Sequence, residues 1–333
     1  MWRLWGGVAG AAVVVAVACG DGAAPAIIGP GEGGAEPFLA AVGDASAPTA
    51  TPTAAPPAPA PTPRPSSRDA ALQPPPWAPA PLRMNNVPVP PVDAAAALIM
   101  DEGSGKVLWE HNGSERLAPA SLTKIATAVV ALSEGGYDRV FEVDVDSKAM
   151  PGSSVMGLVP GDRFTLRDLL YGLMLPSGND AALAIARGIA GSDAAFVARM
   201  NALMTALGLY DTTFVNPHGL GNPNHLTTAY DLAALSRYAM SYPGFKEIAG
   251  APYWTASGSR QIGMWNSNAM VTQYAGGDGI KVGYTRRSGH TLVASATRNG
   301  HRVIVVLLSA PSSQADARKL LDWTFANHTW PAP

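Results

Sequence analysis

Pro119-Ala120-Ser121-Leu122-Thr123-Lys124 runs directly into the apolar stretch Ile125-Ala126-Thr127-Ala128-Val129-Val130-Ala131-Leu132. The whole reads as the start of a buried helix. Pro119 ends the preceding segment, and Leu122, Ile125, Ala126, Val129 and Val130 recur at helical spacing. A lone serine ahead of a helix is ordinarily a cap, and Ser121 stands where an N-cap or first-turn residue belongs. Lys124 argues for a second role. A capping box would place Glu or Gln there, and the positive end of the helix dipole opposes a cation in the first turn. Residues at i and i+3 share a helix face, so Nζ of Lys124 can reach Oγ of Ser121. Burial and the dipole both favour the neutral amine, which can serve as a base for the hydroxyl.

The surrounding composition limits the classes of function. Charged residues make up 14% of the 333-residue chain and the formal net charge is −2, which gives no footprint for nucleic acid. One cysteine, Cys19, rules out an internal disulfide framework. No H-E-x-x-H or paired Cys/His spacing marks a metal site, and no cofactor motif is present. More than half of the 30 prolines fall between Pro48 and Pro91, so the chain joins two different materials.

Residues 1–19 carry Arg3 and then an apolar run too short for a comfortable membrane span, as in a secretory signal. Ala16-Val17-Ala18-Cys19 resembles a bacterial lipobox with Ala16 where Leu is usual. A lipidated Cys19, an ordinary cleaved signal and an uncleaved anchor are the three readings. Residues 20–92 are rich in Ala, Pro, Gly, Ser and Thr, lack periodicity, and read as a disordered, semi-rigid linker. A spacer from a membrane fits that composition; a ligand for a proline-recognising partner is the alternative.

Residues 93–333 read as one globular domain. Runs 95–100 and 106–109 flank the turn-rich 101–105 and predict a β-hairpin. Helices are predicted over 166–174, 179–190, 194–207, 228–240 and 314–327, and strands over 141–145, 279–285, 291–297 and 303–308. The last strand is a β-branched run suited to burial on both faces. Strands at the two ends and helices between them predict an α+β fold: an antiparallel sheet flanked by helices, with a helical lobe.

Two further stretches attract attention. Leu175-Pro176-Ser177-Gly178-Asn179-Asp180 is a tight loop opening a helix, which is ordinary turn and capping chemistry when seen alone. Gly279-Ile280-Lys281-Val282-Gly283-Tyr284-Thr285 places a lysine in a strand, a pattern that also suits a solvated edge. Functionally, Gly283 lets a substrate backbone lie close to the strand while Lys281 supplies positive charge.

In this order the three pieces resemble the S-x-x-K, S-x-N and K-T-G set of penicillin-recognising serine enzymes. The stretches 119–125, 176–181, 214–220, 228–233 and 279–285 are together similar to the serine-type D-Ala-D-Ala carboxypeptidases, the low-molecular-mass penicillin-binding proteins. The resemblance covers residue 95 onward and implies a β-lactamase/transpeptidase-like fold. It also implies peptidoglycan stem peptides as substrate, β-lactams as inhibitors, no cofactor, and action on the extracytoplasmic side of a bacterial membrane, with membrane contact only through an N-terminal anchor.

Residue by residue, the resemblance makes Ser121 the nucleophile, Lys124 its base and Ser177 a proton relay. Asn179 binds the substrate amide or holds Lys124, and Lys281 faces the terminal carboxylate. Gly283 admits the substrate, and the backbone N–H groups of Ser121 and Tyr284 form the oxyanion hole. This chain departs in having Val282 where the family has Thr or Ser, and in lacking an arginine in the 309–315 turn. Arg286 and Arg287 are the nearest substitutes.

The leading expectation is a D,D-carboxypeptidase. A D,D-endopeptidase, a penicillin-binding pseudoenzyme marked by Val282 and, last, a β-lactamase are the alternatives. His218 reads as a loop-fixing hydrogen-bonder, and Trp254, Trp265 and Trp323 as core or groove walls.

Overall fold

The computed structural model describes residues 76–331. The segment read as a signal and residues 20–75 of the linker lie outside the described residues. The chain enters with a short strand, β1 (Leu82–Arg83), and then makes the expected hairpin of β2 (Ala96–Asp101) and β3 (Val107–His111). A 3₁₀ turn over Ala120–Thr123 leads into α1 (Lys124–Ser133). Next come a small ribbon of β4 (Val140–Glu142) and β5 (Arg163–Thr165), then α2 (Leu166–Met174), α3 (Asn179–Ala190) and α4 (Asp193–Ala206). Helices α5 (Ala229–Ala239) and α6 (Pro243–Gly250) precede a hairpin of β6 (Tyr253–Ser257) and β7 (Gln261–Trp265). After the short α7 (Ala269–Gln273) the chain returns to β8 (Gly277–Thr285), β9 (Gly289–Arg298) and β10 (His301–Leu308). It closes with α8 (Ser313–Asn327) and β11 (His328–Thr329), which pairs with β1.

The five-stranded sheet runs β3-β2-β10-β9-β8, antiparallel throughout. Its central strand explains the layering. Strand side chains alternate between faces; Ile304, Val306 and Leu308 join one apolar cluster and Val303, Val305 and Leu307 the other. The first cluster is the helical lobe, in which α1 is buried along nearly its whole length. The second lies under α8 through Ala317, Leu320 and Leu321. The fold is therefore α+β, an antiparallel sheet covered by helices on both faces.

Local signals set the helix boundaries. Thr165, Ser192 and Thr228 each accept a backbone N–H from the third residue on, capping α2, α4 and α5. Gly191 ends α3 at φ +75°, the left-handed conformation glycine adopts at least cost. Of the two positions read for Ser121, the structure shows the first-turn one: it sits inside the 3₁₀ turn and caps nothing, and neither that turn nor α1 has a side-chain cap.

The boundary at residue 93 also shifts. Met84 N–H donates to Asn327 O at 2.9 Å, and Trp323 Nε1 donates to Val87 O at 3.2 Å. Trp77 lies under the guanidinium of Arg237, 4.3 Å from ring centroid to Cζ. Residues 76–92 therefore pack on the domain, with Trp77 under the Arg237 guanidinium and Val89 and Val92 against the second apolar cluster.

Arg237, almost fully buried on α5, donates to Glu102 O at 2.6 Å and to Gly103 O at 3.2 Å, tying that helix to the β2–β3 turn. Arg237→Met leaves those carbonyls without this donor and is expected to lower unfolding stability by about 1–3 kcal/mol, read from the urea midpoint at unchanged slope.

Candidate active site

Ser121 owes its position to two close backbone approaches and two side-chain hydrogen bonds. Ala120 adopts φ +51°, and its carbonyl accepts Thr123 Oγ1–H at 2.8 Å. A Cβ on Gly219 would lie 1.8 Å from Ala120 O, so the 214–220 loop passes too near the turn for any side chain. On the other side a Cβ on Gly283 would fall 2.9 Å from the backbone N of Ser121 and 2.5 Å from Thr291 Oγ1. Edge strand β8 thus lies directly along the serine turn, and Thr291 Oγ1 fastens the contact by donating to Pro119 O at 3.1 Å.

Lys124 is completely buried. Its Nζ stands 3.0 Å from Ser121 Oγ, 2.7 Å from Asn179 Oδ1 and 3.0 Å from His218 O. The two carbonyl oxygens accept only. An ammonium can donate to all three oxygens; once neutral, the amine can donate to the two carbonyls and accept the Ser121 hydroxyl proton on its lone pair. Burial, reinforced by the nearby charge of Lys281, holds the amine well below the ordinary lysine range; Asp180 opposes this in part. Lys281 is equally buried, its Nζ donating to Val282 O at 3.1 Å, and burial brings its pKa down to about 7.

The α2–α3 loop brings the third motif to the same place. Ser177 sits at φ +66° and is only 5% exposed, and its Oγ has no hydrogen-bond partner. A non-glycine residue in that region costs about 1–3 kcal/mol, and an unpaired buried hydroxyl adds to the cost. Gly178 has no room for a side chain, with Asp180 Oδ1 and Gly172 O each 2.8 Å from where a Cβ would stand. Asn179 opens α3 and points its amide oxygen at Lys124.

A cleft of about 390 Å³ joins these groups. Ser121, Ser177, Asn179, Val282, Gly283 and Tyr284 all line it, while Lys124 lies behind Ser121. At its sides are Ser153 and Ser154, Ser267, and the first residues of α8, Ser313 and Gln314. Gln314 Oε1 is buried with no partner. Neither Arg286 nor Arg287 lines the cleft; Arg287 is exposed and donates to Pro223 O at 3.0 Å. The side chain in the family's threonine position is thus apolar, and the arginine substitutes considered from sequence point elsewhere.

Two supporting residues, Asp180 and His225, had no role assigned from sequence. Asp180, wholly buried, accepts the backbone N–H groups of Met156, Gly157, Leu158 and Ala181 at 2.8–2.9 Å, which fixes the loop beside Ser154. His225 accepts Val215 N–H on Nδ1, so Nε2 carries the proton that faces Thr123 Oγ1 at 2.8 Å. Burial lowers its pKa to about 4, keeping it neutral. His218 is also held near 4 by burial and by Lys124, and its Nδ1 accepts Leu220 N–H, so its imidazole fixes the loop. For Asp180 the one legible signal was adjacency, since it ends the Ser177-Gly178-Asn179 loop; the loop-fixing bond of His218 is the one read from the sequence. Trp254 stacks on Tyr171 at 3.9 Å and Trp323 is buried, but Trp265 is 72% exposed, on a hairpin face that no described residue covers. Among the described residues no group of three or more His, Cys, Asp or Glu side chains is placed to hold a metal ion.

The comparisons with known proteins meet this geometry. The sequence profile of the D-alanyl-D-alanine carboxypeptidase family matches residues 83–312. D-alanyl-D-alanine carboxypeptidase DacC of Escherichia coli is 39% identical over 257 residues, covering 72% of this chain and 63% of the relative. DacF of Bacillus subtilis is 35% identical over 245 residues, covering 71% and 63%. The chain thus spans just under two thirds of the length of these relatives. The solved D-alanyl-D-alanine carboxypeptidase of Mycobacterium tuberculosis superposes with a TM-score of 0.68 at 33% identity, over 73% of this chain and 95% of that one. With the matched region enclosing the serine turn, the α2–α3 loop and strand β8, the chain belongs to the D-alanyl-D-alanine carboxypeptidase family.

Proposed function

We propose that this protein is a serine D,D-carboxypeptidase that removes the terminal D-alanine from peptidoglycan stem peptides. The observation that carries the reading is the buried Lys124 amine, 3.0 Å from Ser121 Oγ and otherwise bound only to carbonyl oxygens. Ser121 Oγ attacks the carbonyl carbon of the penultimate D-alanine as its proton passes to Lys124. The backbone N–H groups of Ser121 and Tyr284 receive the oxyanion, the contribution usually largest in acyl transfer. When the C–N bond breaks, the leaving nitrogen takes a proton from Ser177 Oγ, resupplied by the Lys124 ammonium. The unpaired state of that hydroxyl supports the assignment. Water then adds to the ester with Lys124 as base, and the proton returns to Ser121 Oγ as the shortened peptide departs. Asn179 orients the base and the substrate amide, Gly283 gives the substrate backbone room, and Lys281 adds positive potential toward the carboxylate. A β-lactam acylates the same Ser121.

The N-terminal 1–19 segment and the Pro/Ala-rich linker support an exported enzyme held at the outer side of a bacterial membrane, through Cys19 or an uncleaved anchor, or released after cleavage. Val282 favours a second reading, a penicillin-binding relative of weak turnover, since the hydroxyl that would bond the carboxylate is absent.

Three outcomes follow. Ser121→Ala is expected to abolish both D-alanine release from a D-Ala-D-Ala pentapeptide and labelling by penicillin, a loss on the order of 10³-fold or more in kcat. Wild-type protein that neither releases D-alanine nor is acylated refutes the enzymatic reading; acylation without release establishes the second one. Restoring the hydroxyl in Val282→Thr is expected to raise kcat/KM by about 5- to 100-fold, the equivalent of one hydrogen bond to a charged group. An unchanged value means that the carboxylate is held elsewhere.

The third concerns pH. The base must be neutral, so kcat falls as pH drops through the depressed Lys124 pKa. Lys281 must be charged to attract the carboxylate, so KM climbs as pH rises through about 7. In Lys281→Gln the KM is expected to be high at every pH and flat across that range; a persisting rise near pH 7 assigns the titration to another group.

A further inference from the structure

The β6–β7 hairpin has two unlike faces. Its register pairs Tyr253 with Trp265, Thr255 with Gly263 and Ser257 with Gln261. Ala256 and Met264 point inward and are buried, and Trp254 lies flat on Tyr171, 3.9 Å between centroids and 3° between planes. The opposite face is open. Trp265 is 72% and Tyr253 41% exposed, with ring centroids 4.5 Å apart. Gly263 keeps this face flat, for a Cβ there would meet Tyr253 Oη at 2.6 Å, and Thr255 Oγ1 steadies the ring by donating to that Oη at 3.0 Å. The remaining residues on the face, Ser257 and Gln261, are exposed and polar. No residue on it is charged, and the one cation at the hairpin tip, Arg260, is engaged by Asp162 at 2.8 Å.

The aromatic end of this hairpin is its end nearest the cleft. Trp265 is followed by Asn266, whose amide donates to Ala249 O and Ala251 O, and by Ser267, which lines the cleft. Ser267 is held by two bonds to Leu175 O, at 3.0 Å from its N–H and 2.9 Å from its Oγ. The two rings are therefore fixed about two residues, some 7 Å of extended chain, from the wall of the reaction site.

We propose that this face is a carbohydrate platform that holds the neutral glycan to which the stem peptide is joined. The proposal rests on the reading of the cleft as a stem-peptide site. A stem peptide that reaches Ser121 carries its sugar strand with it, and that strand must lie against the surface continuous with the cleft. Sugar rings present flat C–H faces that stack on indole and phenol, and hydroxyl and N-acetyl edges that bond to groups such as Tyr253 Oη, Thr255 and Gln261. A phosphodiester polymer or an anionic bilayer calls for Lys or Arg, which this face lacks.

Retention of the full-length protein on glycan strands stripped of their peptides tests the platform without any use of the active site. Wild type is expected to be retained, Trp265→Tyr to be retained nearly as well, and Trp265→Ala to bind about 3- to 10-fold more weakly, with its melting temperature unchanged. In parallel, Trp265→Ala is expected to release D-alanine from free pentapeptide at the wild-type rate, and from glycan-linked pentapeptide with KM raised by a similar factor. No retention of wild type on the glycan, or equal retention of wild type and Trp265→Ala, overturns the proposal. So does Trp265-dependent binding to phosphatidylglycerol vesicles without glycan retention, which makes the face a membrane contact. Failure of the carboxypeptidase reading has a separate signature, the absence of D-alanine release from free pentapeptide by wild type.

Discussion

One buried amine sets the terms for this protein. Lys124 is stripped of water and meets no carboxylate among its bonded partners, only the Ser121 hydroxyl and two carbonyl oxygens. A carboxylate at that point would hold the lysine as a cation, which could not act as the base that the proposed mechanism needs. Asp180 is close enough to act electrostatically, yet its two oxygens are occupied by four backbone N–H groups. The same carboxylate that would spoil the base therefore orders the loop beside it. The burial cost is met by tight packing of the helical lobe around α1, whose other residues are nearly all apolar.

The site is assembled where separate layers meet. Ser121 and Lys124 come from the start of α1, Ser177 and Asn179 from the α2–α3 loop, and Lys281 and Gly283 from the edge strand of the sheet. Closeness is obtained by omitting side chains: Gly219 against Ala120, Gly178 against Asp180 and Gly172, Gly283 against the Ser121 nitrogen. Each glycine replaces what would be a clash with an approach that places a polar group within reach of another. Among the described residues β8 is an edge strand, which under the proposed reading gives the substrate backbone a strand to lie along.

Val282 and Gln314 line the cleft, whereas the exposed Arg287 donates to Pro223 O and does not line it. Under the proposed reading, attraction for the substrate's terminal charge falls chiefly to Lys281, whose pKa burial brings down to about 7. That reading gives the chain a complete nucleophile and base beside a weaker grip on the carboxylate.

The elements with strong periodicity were legible from the chain alone. Residues 166–174 carry apolar side chains at helical spacing, 179–190 is a long apolar run bounded by the Ser177-Gly178 loop and Gly191, and 303–308 is an apolar run rich in β-branched residues that suits a two-sided core. The i, i+3 spacing of Ser121 and Lys124 was likewise local, and local spacing on a helix or turn fixes which side chains can meet. The β6–β7 hairpin went unread because its strands are only five residues each and put Tyr253, Trp265 and Gly263 on the outer face, which hides the apolar alternation. Trp265 could not be placed, since exposure depends on what packs over a face and not on the residue itself. The anchoring of residues 76–92 escaped for the same reason: proline-rich composition says nothing of the partners that Trp77 and Val87 find. Tertiary structure also decided the roles of Asp180, bonded to residues more than 20 positions earlier, and of His225, which meets Thr123 across 102 residues. Sequence carries the chemistry of such groups, but their pKa and their partners are set by burial and by contacts that only the folded chain brings together.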